Sequence, residues 1–274
     1  MQTINPALPA IILTKDIIKS KKLAPANLII SSKLPHAQKM AIFESRKRKV
    51  LRFLLEENYS SLENLASLTK TPKQTVMRLT KHLCEISYLT KVEVNIGLAR
   101  PISVFQPTNT GIMFAMLENE ELPELREISK VNAVTIYHDL KLQQIRLKLE
   151  AEGYTKFQSS WQLTKILRKR NEKVPKIPDY TCINPQGDKI AIEYERTIKT
   201  KKRYQEIIGQ YLDIKERGII KQVIYYTDDG FADKLKQLFA SVEFVYRKGR
   251  TEKCLAEQLR YFIFYNSLLT WNYD

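Results

Sequence analysis

The chain has 274 residues, 45 of them Lys or Arg against 30 Asp or Glu, for a formal net charge of +15. That length suffices for one large or two modest cores, and a cationic excess on this scale favours a polyanionic partner. Three scattered cysteines, Cys84, Cys182 and Cys254, argue against a disulfide framework or a cysteine zinc site, and the apolar pairs near the start are too short for a signal-peptide core or a membrane span, so a reducing, cytoplasmic setting with no membrane partner is expected.

Residues 1–44 show no sustained hydrophobic period and read as an arm. Arg46-Lys47-Arg48-Lys49 then opens a predicted helix with Val50, Leu51, Phe53 and Leu54 inside. Ser61 is placed to cap a second helix that packs Leu62, Leu65, Ala66 and Leu68. Thr71 and Pro72 suit the cap and first position of a third, whose buried stripe is Val76, Leu79, Leu83 and Ile86. The outward side of that helix carries Lys73, Gln74, Thr75, Arg78 and Lys81, residue types suited to phosphates and base edges. Residues 88–94 and 102–108 are strand-like, joined by a turn region with Gly97, Arg100 and Pro101, and Thr108 starts a closing helix. Over residues 45–117 this order resembles winged helix-turn-helix domains, and the resemblance implies that the third helix and the wing, with Arg100, hold DNA. A basic three-helix unit that mediates protein contacts is the alternative.

Residues 118–130 hold five acids and two bases, with Pro123 among them, and read as an acidic linker between two basic blocks. The second block has the pattern of an α/β unit: a helix near residues 137–152, a strand starting at 153–157, a helix over 161–170, strands at Asp179 and at Glu193, a cationic helix, a strand at Val223–Tyr226, a helix over 231–239 and a last strand at 242–246. His36, His82 and His138 are the only histidines and are not neighbours in sequence, which weighs against a three-histidine metal cluster. His82 reads as a helix residue; for His138 a structural and a site role both stay open.

Thirteen residues separate Asp179 from Glu193. In the segment Ile190 to Arg196, a strand's alternation sends Ile190, Ile192 and Tyr194 to one face and Ala191, Glu193 and Glu195 to the other. A hairpin back to Asp179 brings a third carboxylate beside the pair. Like charges gathered so closely need a cation, and oxygen donors suit magnesium or manganese. The plainer alternative is a solvated Glu-x-Glu face on an edge strand. Just beyond it, Lys199, Lys201, Lys202 and Arg203 stand at the start of a helix with Tyr204, Ile207, Ile208 and Tyr211 inside, and cations at a helix N-terminus make a phosphate clamp.

Pro178-Asp179 with Glu193-Tyr194-Glu195 resembles the motif of the PD-(D/E)XK nuclease superfamily. The likeness implies a restriction-endonuclease-like αβββαβ core over residues 131–250, with 251–274 as a tail. It puts Asp179 and Glu193 at a divalent metal, and Glu195 is expected beside them on the metal or its water. Glu195 stands where that motif usually has its lysine, so Lys199, or after it Lys201, takes the catalytic ammonium role, with Lys202 and Arg203 on DNA. Glu150 and Glu152 are the candidates for an acid on the core's first helix. With Tyr137-His138-Asp139-Leu140, Glu193-Tyr194-Glu195-Arg196-Thr197 with Lys199, and Arg203-Tyr204 leading to Tyr211, the chain is further similar to the replication-relaxation group and the plasmid mobilisation relaxases called MOBC. That likeness implies magnesium-dependent nicking at a site such as a transfer origin. Its partners are expected to be double-stranded or partly single-stranded DNA, other mobilisation proteins and a second copy of the chain. Tyr194, Tyr204 and Tyr211 read as packing residues rather than covalent nucleophiles. A non-catalytic DNA-binding regulator or replication initiator is the alternative function, and a restriction endonuclease a third.

Overall fold

The computed structural model describes residues 34–266 except 96, 98, 99 and 229. Most of the expected N-terminal arm and the last eight residues of the expected tail lie outside the described residues. The chain forms two compact units, Met1–Ser45 and Arg46–Asp274, and its class is α/β with mixed sheets.

Helix α1 spans His36–Glu57, so the basic tetrad expected to open it lies in its interior, and Val50, Leu51, Phe53 and Leu54 are its buried face. After the short strand β1 (Ser60–Ser61), Ser61 caps α2 (Leu62–Thr69) by accepting the Asn64 N–H. Helix α3 runs from Lys73 to Glu85 and follows Pro72; the Thr71 hydroxyl bonds to that of Thr69 instead of capping it. Val76, Leu79 and Leu83 are buried as the stripe requires, whereas Ile86, just past the helix end, is exposed. Strands β2 (Leu89–Val94) and β3 (Ile102–Pro107) pair antiparallel, with β1 on the far side of β3. Thr108 then caps α4 (Asn109–Ala115) through the Gly111 N–H.

The acidic segment 118–130 is tied down rather than free. Arg126 donates to Asp139 at 2.7 Å, its backbone N–H meets Asn58, and Ile128 is buried in a single turn of 3-10 helix. Beyond it come α5 (Ala133–Ala151), β4 (Thr155–Ser159), α6 (Ser160–Lys169), β5 (Tyr180–Ile183), β6 (Lys189–Glu195), α7 (Lys201–Glu216), β7 (Gln222–Thr227) and α8 (Phe231–Ala240). The chain continues through β8 (Phe244–Arg247), β9 (Arg250–Lys253), the single turn α9 (Ala256–Leu259) and β10 (Phe262–Asn266).

Five strands form one sheet in the order β10-β7-β6-β5-β4; β4, β5 and β6 are antiparallel neighbours, while β6, β7 and β10 run parallel. Strand β6 is therefore central, and side chains from it are buried on both faces. Ile190, Ile192 and Tyr194 pack with Leu142, Ile145 and Leu149 of α5; Ala191 packs with Tyr204, Ile207, Ile208 and Tyr211 of α7 and with Leu235 and Phe239 of α8. Large apolar side chains buried this fully contribute about 1.5–3 kcal/mol each. The last sheet strand is not the expected 242–246 segment. That segment is β8, which pairs only with β9 in a hairpin on the α7 side, and the sheet is completed by β10 from the expected tail. Gly209 of α7 permits the close approach, because a Cβ there would stand 2.1 Å from the Tyr246 carbonyl oxygen.

Candidate functional site

The register of β5 on β6, Tyr180 opposite Ile192 and Thr181 opposite Ala191, extends one step to set Asp179 across from Glu193. Asp179 is held by its backbone and its side chain. Its carbonyl accepts the Ser160 N–H at the start of α6 at 2.8 Å, Oδ2 accepts the Tyr194 N–H at 2.9 Å, and Nε2 of His138 lies 3.4 Å from the same oxygen. Burial alone pushes a carboxyl up; the hydrogen bond and charge of His138, with Lys176 behind them, outweigh it and hold Asp179 below the ordinary aspartate value.

Glu193 and Glu195 share a face of β6, about 7 Å apart along the strand, and each is only 8% exposed. A solvated edge pair is therefore not what β6 presents. Lys176 Nζ stands 2.7 Å from Oε1 of Glu193, and the Tyr211 hydroxyl donates to that oxygen as well. Burial, reinforced by the charge of Asp179, pushes the Glu193 carboxyl up to about 7 against the pull of Lys176 and Tyr211. Burial also works against the Lys176 ammonium, yet Glu193 and Asp179 prevail and keep it above the usual lysine value. Glu195 binds the Lys199 ammonium through both oxygens and accepts the Tyr204 hydroxyl at 3.2 Å.

The two expected lysines thus part company. Lys199 lies in the loop after β6 and reaches Glu195, whereas Lys201 is the first residue of α7, behind the Thr200 cap, and is exposed. The ammonium that touches Glu193 belongs to Lys176. Sequence reading missed it because no period or motif marks residue 176, and its reach depends on how the loop between Pro175 and Pro178 enters β5. The tyrosines are buried as expected. That the hydroxyls of Tyr204 and Tyr211 seek the acids across the helix–sheet gap was not read from their helical spacing.

Helix α5 supplies the other half of the surroundings. Nδ1 of His138 is 3.7 Å from Asp139, which accepts the Tyr59 hydroxyl at 2.6 Å and Arg126 at 2.7 Å. Nε2 also lies 3.2 Å from the Tyr194 carbonyl oxygen. Burial lowers the His138 imidazole, but the neighbouring Asp139 and Asp179 carboxylates outweigh it and raise it to about 10. Asp139 of α5 is thus linked to Asp179 by way of the His138 ring. Glu150, about three turns further along, is engaged with Arg146 at 2.8 Å, and Glu152 lies at the helix C-cap.

Among the residues expected on DNA, Lys73, Gln74, Arg78, Lys81, Arg100, Lys202 and Arg203 are exposed and Thr75 is half-buried. Several are engaged on the surface: Lys73 with Glu63, Lys81 with Glu85 and Arg203 with Glu206. Such surface pairs are worth little and exchange readily for phosphate.

Asp179, Glu193 and Glu195 offer only oxygen donors, the chemistry a hard divalent ion takes. Among the described residues, no three His, Cys, Asp or Glu side chains already stand together as a metal cage, and each of the three acids holds a protein donor. The donor set fits magnesium or manganese once those donors give way. Among the described residues no helix is long and apolar enough to cross a membrane. Comparison of the chain with protein-family models, with curated proteins and with solved structures finds no match in any of the three.

Proposed function

We propose that the protein is a metal-dependent DNA-nicking protein of relaxase type, in which a winged helix-turn-helix formed by α1 to α4 and β1 to β3 selects the site and a PD-(D/E)XK-like core cleaves. One observation carries the reading: the register of β5 on β6, continued one residue before Tyr180, sets Asp179 opposite the buried Glu193 in a largely apolar sheet. Clustered carboxylates at a strand end are costly without a cation. Asp179 and Glu193 would hold magnesium or manganese, with Glu195 beside them. The ion would supply charge neutralisation of the phosphate and an acidified water. Lys199, gripping Glu195 and 42% exposed, is positioned to meet phosphate oxygens from the solvent side, and the exposed Lys201, Lys202 and Arg203 at the start of α7 extend the positive surface. Transfer-origin DNA, other mobilisation proteins and a second copy of the chain are the partners this reading calls for, inside the cell.

The regulator reading is favoured by a different observation: Glu195 occupies the position of the motif's lysine, and every acid of the cluster is already bonded within the protein. Supercoiled plasmid carrying the target, incubated with protein and magnesium, separates the two. Open circles that chelation prevents support nicking; tight site binding with the plasmid left supercoiled supports the regulator. Linear product instead marks a restriction endonuclease.

A further inference from the structure

We propose that Lys176 is a tethered counter-cation of Glu193, which a divalent ion must displace, and that the displaced ammonium then binds the substrate phosphate as the site's lysine. The inference rests on the reading of Asp179 and Glu193 as metal-holding acids. Its geometry is specific to this chain. Lys176 lies in the loop that leads into β5, three residues before Asp179, and its Nζ is 2.7 Å from Oε1 of Glu193, with side-chain exposures of 18% and 11%. Neither Lys199, bound to Glu195, nor the exposed Lys201 makes that contact. Two positive charges cannot share one buried carboxylate oxygen cheaply, so ammonium and metal compete for it.

The lysine also has somewhere to go. A groove of about 350 Å³, lined by Leu163, Ile166, Leu167, Lys176, Pro178 and Ile214 among others, opens beside it. Its four-carbon stem can lie along this apolar wall while the ammonium turns outward. Strand β6 has Glu195, not a lysine, two residues after Glu193. Lys176 supplies the missing charge from the neighbouring segment, and its pairing with Glu193 keeps the acid cluster neutralised while no metal is present.

Manganese binding, followed by electron paramagnetic resonance on the full-length protein, tests the exchange directly. Lys176→Met removes the competitor and tightens Mn²⁺ binding about tenfold or more, whereas Lys176→Arg keeps the charge and stays within about threefold of wild type. Wild-type protein provides a second readout that needs no variant to fold: acetylation of Lys176, followed by mass spectrometry, speeds up several-fold when Mn²⁺ is added, while the exposed Lys173 is unaffected. On target DNA at saturating Mn²⁺, Lys176→Met nicks about 100-fold more slowly despite its tighter metal binding. Equal or weaker Mn²⁺ affinity in Lys176→Met, or Lys176 acetylation unchanged by metal, overturns the exchange while leaving the metal reading intact. Unchanged nicking by Lys176→Met overturns the phosphate role. Absence of Mn²⁺ binding in both wild type and Lys176→Met brings down the metal reading, and this inference with it.

Discussion

His138 lies between two carboxylates, Nδ1 3.7 Å from Asp139 and Nε2 3.4 Å from Asp179, with Nε2 also 3.2 Å from the Tyr194 carbonyl oxygen, and this surrounding favours its imidazolium form. Its folded value of about 10 lies above the ordinary 6.5, so the stabilisation it brings is complete below pH 6.5 and is lost as pH rises through about 10. An NMR titration should show no His138 inflection between pH 6 and 8 in the wild type, and Asp139→Asn should move the inflection down toward neutrality. An inflection near 6.5 in the wild type would contradict the two-carboxylate arrangement. Side chains of this kind differ in how visible they are in a sequence. Glu193 and Glu195 could be found because strand alternation sets them apart from Ile190, Ile192 and Tyr194. Lys176 could not, since loop geometry rather than periodicity delivers its ammonium. The hydroxyls of Tyr204 and Tyr211 were hidden for another reason: an apolar helical stripe predicts where the ring goes and is silent about what the oxygen meets.

The elements were legible where one face is buried and one is wet. Helices α2 and α3 and strands β2 and β3 follow from their periods and, for α2, from its Ser61 cap, whereas β6, buried on both faces, shows through the alternation of its acids with Ile190, Ile192 and Tyr194. Pairing choice was not: residues 242–246 have strand character, yet their partner is β9, while β10 takes the sheet edge beside β7. Both segments are rich in strand-forming residues, and composition alone does not say which of them joins the sheet. Gly209 is where α7 and β8 make that contact. Glycine to alanine in a helix interior ordinarily gains about 1 kcal/mol, but here the added Cβ would meet the Tyr246 oxygen at 2.1 Å. Gly209→Ala should therefore lower stability by about 1–3 kcal/mol in urea unfolding; a gain would show that the hairpin is not seated there. Helix α3 makes a functional prediction on the proposed reading. Arg78→Ala and Lys81→Ala should each reduce the slope of log affinity against log salt by about 1 without altering the fold, measured by fluorescence anisotropy on target duplex. An unchanged slope would take α3 off the phosphates.

Across the molecule, the first helices and the five-stranded sheet are joined by buried polar contacts rather than by a free linker. Arg146 of α5 reaches Glu56 and Glu57 of α1, the Tyr180 hydroxyl of β5 donates to Glu57, and Gln143 bridges Ser60, Asn64 and the Tyr59 carbonyl. None of this was visible in the sequence, which showed two basic blocks around an acidic stretch and no sign of which helix would cover which face. Because Glu57 is buried, Arg146→Met leaves it without its cation and should cost about 3–5 kcal/mol. Thermal unfolding of residues 46–274 should show one transition, shifted down in that variant; two separate transitions would mean that the halves are not coupled.

The account depends most on Asp179 and Glu193 acting together on a phosphodiester. Its most direct test is the single-turnover rate of strand cleavage on end-labelled target DNA with magnesium, wild type against Asp179→Asn, with DNA affinity measured in parallel. The account predicts one cut strand for the wild type, a rate at least about 100-fold lower for the variant, and affinities within threefold of each other. Equal rates, or no cleavage by the wild type with either magnesium or manganese, would contradict it.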